Sequence, residues 1–179
     1  MIRGAVLALL TILAAVLATA AGAVETPYQT VGRWDCTAPC TITYSIDATY
    51  PARSAALVRE TYAAISAAPE LEFVEARNGK VNWETCETTR TNLCGFWTTF
   101  TFGKGQGKGF ASFRSIEVVI DTTSWDQLVD LKSYICHEAL HTVGFQHAPR
   151  YLPSCFNGTS PTYEPGVEDF TLISMMYGG

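Results

Sequence analysis

The stretch HEALHTVGFQH, from His137 to His147, contains all three histidines of this 179-residue chain. His137 and His141 are four residues apart, so on a helix both imidazole rings project from the same face. Gly144 follows three residues later, where a glycine in the left-handed conformation can end the helix and reverse the chain. His147 comes after that turn. The stretch therefore predicts a helix, a sharp turn and a point at which three imidazoles meet.

Three imidazoles form a ligand set that zinc accepts, and they leave the fourth tetrahedral position open for water. Glu138 projects about 100° around the helix from His137, which places its carboxylate beside the open position rather than among the ligands. A zinc-bound water loses a proton near neutral pH, and a neighbouring carboxylate can accept that proton and return it to a leaving amine. We therefore predict one zinc ion bound by three residues (His137, His141 and His147), with Glu138 as general base and acid.

Three other interpretations of the cluster are weaker. Histidines on a helix are often only surface or core residues, but this chain has none outside the cluster. Cys136 is a poor zinc ligand because it points off the face that His137 and His141 share. In a glutamate-liganded zincin the third ligand would be Glu164, carried on a second helix. Pro161 and Pro165 flank Glu164 and argue against such a helix.

The full pattern H-E-x-x-H-x-x-G-x-x-H resembles the zinc signature of the metzincin metalloendopeptidases. The resemblance implies an α/β (α+β) fold: a twisted mixed sheet with an antiparallel edge strand, two main helices and a small irregular C-terminal subdomain. It also implies zinc-dependent hydrolysis of peptide bonds in protein or peptide substrates that pair with the edge strand, which it places at about residues 109–114. Ala148 matches neither the serine of matrixins nor the glutamate of astacins at this position, so the subfamily stays open.

Metzincins also carry a methionine turn beneath the metal, and SMMYGG near the end of the chain resembles one. In the preferred register Met176 is the methionine of the turn, in a Ser-x-Met-Tyr order like that of matrixins. In the other register the methionine of the turn is Met175. Tyr177 then matches a tyrosine that astacin-like enzymes place near the metal. Because the chain stops at Gly179, we expect the C-terminal helix of the clan to be missing.

The first 23 residues have the layout of a cleaved secretory signal. Arg3 precedes an uncharged, leucine- and alanine-rich run, and two A-x-A sites end it. An uncleaved signal anchor is the alternative. We therefore predict a signal peptide over 1–23, a single metalloprotease catalytic domain over 24–179, an extracellular location and no membrane contact after cleavage.

All six cysteines follow this segment, and an even number in an oxidising compartment indicates three disulfides. Proximity in sequence favours Cys36–Cys40, Cys86–Cys94 and Cys136–Cys155, although six cysteines allow fifteen pairings. The formal net charge of −5 argues against a nucleic-acid partner, since phosphate binding needs clustered Lys and Arg. We expect a monomer.

Residue periodicity predicts the remaining elements. Strands are expected at 40–46, 70–76, 96–102, 109–113 and 115–121, and helices are expected from Pro51 and over 125–143. Asn78-Gly79 is a turn signal that could make one neighbouring strand pair antiparallel. The prolines and glycines after Ala148 predict an irregular tail.

These observations predict a secreted zinc endopeptidase. The alternative is a catalytically silent secreted zinc-site protein that acts as a binding or inhibitory module, which the short C-terminus would favour. Glu138 argues against that alternative, because a purely structural zinc site does not need this carboxylate.

Overall fold

The computed structural model describes residues 30–86, 96–103, 111–122, 128–147, 154–156 and 163–178. The predicted signal segment, Cys94 and the first three residues of the helix predicted over 125–143 lie outside these ranges. So do the first two residues of the strand predicted at 109–113.

The described residues form five strands and three helices. The strands are β1 (Cys40–Ile46), β2 (Leu71–Glu75), β3 (Val81–Thr85), β4 (Phe96–Phe102) and β5 (Phe113–Ile120). The helices are α1 (Ala52–Ile65), α2 (Leu128–Val143) and α3 (Val167–Tyr177). None of the helices in the described ranges has the length and hydrophobicity needed to cross a membrane.

The five strands form one mixed sheet in the order β2-β1-β3-β5-β4. Strands β2, β1, β3 and β5 are all parallel to their neighbours. Strand β4 lies at the edge of the sheet and runs antiparallel to β5. The predicted α/β fold with an antiparallel edge strand is confirmed. Its placement at about 109–114 is wrong, because Phe113 and Arg114 begin the interior strand β5. The edge strand is β4, whose exposed threonines Thr99 and Thr101 suit an edge position.

The link between β2 and β3 crosses over β1 instead of forming a hairpin. Both strands are parallel to β1 and flank it, so the antiparallel pair suggested by Asn78-Gly79 does not form. A Cβ atom on Gly79 would lie 2.2 Å from the carbonyl carbon of Tyr44. Gly79 is therefore required by the close approach of two backbones. Strand β3, with buried Val81 and Trp83, was not predicted.

Helices α1 and α2 pack beside each other against the sheet. The predicted apolar stripe of α1 is buried and comprises Ala55, Val58, Tyr62 and Ile65. The Tyr62 hydroxyl accepts a hydrogen bond from Trp83 Nε1 at 3.0 Å and lies 3.1 Å from Thr142 Oγ1. These bonds satisfy buried polar groups and join β3, α1 and α2, the helix that carries the histidines.

Helix α3 corrects the prediction of an irregular tail without a C-terminal helix. The prolines lie before its start at Val167 and so do not interrupt it. The Asp169 carboxylate accepts a hydrogen bond from the backbone N–H of Gly166 at 2.7 Å, which satisfies a free donor at the helix N-terminus. The same carboxylate oxygen accepts from Ser154 Oγ at 2.8 Å, so the start of α3 is tied to the segment 154–156.

Two predicted disulfides are present, Cys36–Cys40 and Cys136–Cys155. Cys86 is also disulfide-bonded. The Cys136–Cys155 bond joins α2 to the segment 154–156, next to the site described below.

Candidate metal centre

The histidines are positioned by α2 and by the turn that ends it. Gly144 has φ +119°, a conformation that side-chain-bearing residues rarely adopt. A Cβ at this position would also lie 2.2 Å from the carbonyl oxygen of Gly32. The predicted role of Gly144 is thus confirmed: the helix stops there and the chain turns back towards His147.

The turn brings the three imidazoles together. Each imidazole offers one nitrogen that could bind a metal, and these nitrogens of His137, His141 and His147 all lie within 4.8 Å of one another. Their ring centroids are 4.9 to 5.1 Å apart. Nitrogens bound to one tetrahedral zinc are about 3.4 Å apart, so small ring movements would bring them to bonding distance. The residues fit a zinc ion.

Two backbone contacts orient the rings. His141 Nδ1 lies 2.9 Å from the carbonyl oxygen of Phe145, and donation of the Nδ1 proton to it leaves Nε2 free to bind metal. His137 forms a hydrogen bond with the backbone of Cys155. Both are the kind of outer contact that fixes the tautomer and direction of a metal-binding histidine.

Burial keeps these two histidines neutral. It lowers the pKa of His137 to about 3, with the neighbouring His141 and His147 adding to the effect. Burial likewise lowers the pKa of His141 to about 4. Neutral imidazole is the form that binds a metal, so protons do not compete for these two rings at neutral pH.

Glu138 lies in a buried environment beside the histidines. Its side chain is 4% exposed, and burial raises its pKa to about 7. Thr98 Oγ1 of β4 donates a 2.5 Å hydrogen bond to Glu138 Oε2, which acts in the opposite direction and favours the charged form. A carboxyl group with a pKa near neutrality can both accept and release a proton.

Thr98 was missed by the sequence reasoning. The only signal was the alternation of β4, which puts Thr98 and Phe100 on one face of the strand. That face is turned towards α2, since the Phe100 and His141 ring centroids are 6.4 Å apart. Nothing in the sequence indicated which strand would face Glu138.

A buried phenylalanine, Phe156, packs against all three histidines. Its ring centroid lies 4.8 Å from that of His137, 4.7 Å from His141 and 5.7 Å from His147. Phe156 is 1% exposed. This residue was also missed by the sequence reasoning, which had expected a methionine to pack next to the histidines.

The predicted methionine turn does not form, because both methionines lie in the last turn of α3. Met175 is 55% exposed, while the Met176 methyl group lies against Gly144. The Tyr177 hydroxyl donates to Val143 O at 2.7 Å and accepts from Trp34 N at 3.2 Å. This hydroxyl therefore holds the end of α2 and is not available to assist at a metal.

The two alternative metal ligands are excluded by their contacts. Cys136 is bonded to Cys155, so it has no free thiolate. The Glu164 side chain is 74% exposed and lies 3.8 Å from Lys132 Nζ. A helix does follow Glu164, contrary to expectation, but the residue that joins His137 and His141 is His147.

Comparisons with known proteins identify the fold. No protein-family model and no curated protein sequence matches this chain. Among solved structures, it is similar to high choriolytic enzyme 1, a hatching enzyme zinc-protease from Oryzias latipes (medaka fish), with a TM-score of 0.54 and 15% identity over 82% of this chain and 94% of the other. Myroilysin matches at a TM-score of 0.48 and 12% identity, over 84% and 98%. The chain thus shares the fold of this hatching enzyme zinc-protease, in agreement with the fold that its zinc signature predicted.

Proposed function

We propose that the protein is a secreted zinc-dependent endopeptidase in which His137, His141 and His147 bind one zinc ion. One observation carries the proposal: three imidazole nitrogens converge within 4.8 Å of one another, and the residue that follows the first histidine in α2, Glu138, is a buried carboxylic acid. A set of neutral nitrogen donors with one position left open is typical of catalytic zinc. The zinc-protease fold supports the same assignment.

Glu138 is the residue we assign to proton transfer. A zinc ion at this site would acidify a water molecule and polarise the carbonyl group of the scissile bond. The Glu138 carboxylate accepts the proton of the attacking water and delivers it to the nitrogen of the leaving amine. Thr98 Oγ1 donates to Oε2, and we assign the proton transfer to the other carboxylate oxygen, Oε1. The positive charge of the metal would lower the pKa of Glu138 and keep it ionised before the attack.

The substrate is proposed to bind along β4. In the described part of the chain only β5 pairs with β4, so the other edge offers backbone N–H and C=O groups. An extended peptide can pair with such an edge through its main chain, largely independently of its sequence. The same strand carries Thr98, which contacts Glu138, so a peptide on this edge would run past the histidines.

The extracellular location rests on two features. Cys36–Cys40 and Cys136–Cys155 are disulfides, which persist in oxidising compartments. The first 23 residues have the layout of a secretory signal. We propose that the mature protein acts as a monomer, without nucleic-acid or membrane partners.

A catalytically silent zinc-site protein is the less favoured alternative. Its main support was the expected loss of the C-terminal helix, and helix α3 removes that support. Glu138 is buried and bonded to Thr98 Oγ1 of β4, and a purely structural site with three histidine ligands does not need this carboxyl group.

The experiment is cleavage of denatured casein and of a broad peptide library by the purified protein. We expect cleavage that stops with a zinc chelator and returns when zinc is added. The Glu138→Gln variant should bind zinc but not cleave. Zinc-loaded wild-type protein that cleaves none of these substrates would contradict the proposal and favour the silent alternative.

A further inference from the structure

We propose that Phe156 is the residue that supports the metal centre, by packing an apolar ring against all three histidines. The inference rests on the proposed zinc site and adds a positioning residue to it. The resemblance assigned such a role to a methionine near the end of the chain. The geometry assigns it to a phenylalanine only nine residues after His147.

The contacts of Phe156 are close and involve each ring. Its plane is tilted by 31° and 37° from those of His137 and His147, and by 71° from that of His141. All three centroid distances, from 4.7 to 5.7 Å, lie within the range of packed aromatic pairs. One rigid ring in contact with three imidazoles restricts the rotation of each, so it holds the nitrogens near a common point.

Phe156 is itself held from two directions. On one side, the Cys136–Cys155 disulfide ties the preceding residue to α2, and the backbone of Cys155 hydrogen-bonds to His137. On the other side, the Phe156 backbone N–H donates to Ser154 Oγ at 3.0 Å, and Ser154 Oγ donates to Asp169 at the start of α3. The ring therefore has a fixed position relative to both helices.

A phenyl ring cannot coordinate zinc, so Phe156 acts through shape and through exclusion of water. Outer residues that hydrogen-bond to metal ligands commonly change metal affinity by about 10- to 100-fold when mutated, and we expect an effect of the same order from Phe156. A buried apolar ring also lowers the local polarity, which strengthens the attraction between the metal and its ligands.

The test compares zinc affinity in Phe156→Ala, Phe156→Met and Phe73→Ala, by competition with a chromogenic chelator. Phe73 is the matched control: it is a buried phenylalanine that stacks on Tyr62, with centroids 4.2 Å apart. We expect Phe156→Ala to lose about 10- to 100-fold in zinc affinity. Phe156→Met should keep most of the affinity, because it refills the space with an apolar side chain. Phe73→Ala should lower the melting temperature and leave zinc affinity unchanged.

Cobalt(II) provides a second readout that a general loss of stability does not move. Its visible absorption bands report the coordination geometry, and we expect Phe156→Ala to alter them while Phe73→Ala does not. If Phe156→Ala does not fold, Phe156→Val replaces it; valine fills less of the space than methionine, and we expect a loss of zinc affinity of about tenfold.

Two results would overturn the inference alone: wild-type zinc affinity and cobalt spectrum in Phe156→Ala, or an equal loss of zinc affinity in Phe73→Ala. Wild-type protein that binds no zinc would instead overturn the proposed function, and this inference with it. The two failures are therefore distinguishable.

Discussion

Two groups of residues surround the three histidines, and they differ in chemistry. The polar group consists of Glu138 and Thr98, joined by a hydrogen bond between α2 and the edge strand β4. The apolar group consists of Phe156 and the Cys136–Cys155 disulfide, which joins α2 to the segment 154–156. The polar group connects α2 to the sheet, and the apolar group connects α2 to the segment 154–156.

The difference indicates a division of labour. The polar group can move a proton and lies beside the proposed peptide-binding edge, so we assign it to turnover. The apolar group has no group that can transfer a proton, so we assign it to holding the ligands and the helix end. Changes in the polar group should lower kcat without removing zinc, whereas changes in the apolar group should weaken zinc binding or folding.

The largest expected effect is that of Glu138→Gln. The amide cannot accept the proton of the attacking water, so kcat should fall by about 10³- to 10⁴-fold. The zinc content should stay at that of the wild type, because Glu138 is not a proposed ligand. Peptide cleavage assays and metal analysis measure the two quantities. Glu164→Gln is the control, and an equal loss of activity or zinc in this variant would reopen Glu164 as a ligand.

The double substitution Cys136→Ser with Cys155→Ser tests the apolar group. The bond has a sequence separation of 19, and its loss should lower the free energy of unfolding by about 3 kcal/mol. Zinc affinity should fall too, since the backbone of Cys155 orients His137. Denaturant unfolding and chelator competition provide the measurements.

Loss of the Cys36–Cys40 bond provides the comparison. This bond has a sequence separation of 4, so its removal should cost about 2 kcal/mol and leave zinc affinity intact. Equal zinc loss in both double variants would mean that the apolar group has no special connection to the metal.

Thr98→Val tests the link between β4 and Glu138. Removal of a hydrogen bond to a charged group costs about 1.5 kcal/mol or more, so kcat should fall by about tenfold while zinc stays bound. The bond lowers the pKa of Glu138, so its loss should raise that pKa and move the acidic limb of the kcat/KM profile to higher pH.

The neighbouring residues on β4 supply the controls. Thr98→Ser keeps the hydroxyl and should restore most of the activity. Thr99→Val changes a threonine on the opposite face of β4 and should leave the pH profile unchanged. The role of Thr98 is wrong if Thr98→Val behaves like Thr99→Val.

The smallest expected effect on turnover is that of Tyr177→Phe. It removes two buried hydrogen bonds, to Val143 and from Trp34, and should lower the free energy of unfolding by about 1–2 kcal/mol. The value of kcat should stay within about twofold of the wild type, since this hydroxyl serves the end of α2. A large loss of kcat at full zinc occupancy would restore the astacin-like role that the sequence suggested for Tyr177.

Most of the sheet and the cluster of three histidines could be predicted because local sequence patterns encode them. The stripe on α1 and the buried alternation of Ile116, Val118 and Ile120 in β5 follow from helix and strand periods. The histidines could be predicted because the helix repeat and Gly144 fix their geometry within eleven residues. Strand β3 was missed because only two of its five residues, Val81 and Trp83, are buried.

The region after His147 was harder because tertiary contacts determine it. Helix α3 depends on a cap that Asp169 shares with Ser154, and Phe156 reaches the histidines through a disulfide. One signal was available: Cys136 immediately precedes His137, so a bond to Cys155 places Phe156 beside the cluster. Met175 and Met176 gave a misleading signal. Their resemblance to a methionine turn rested on a short motif, which carried no information about the helix α3 that contains them.

The most direct test of this account is X-ray absorption at the zinc K-edge of the purified, zinc-loaded protein. We predict one zinc per chain with three imidazole nitrogens at about 2.0–2.1 Å and a further light-atom ligand. A zinc site with sulfur ligands, or with fewer than three imidazoles, would contradict it.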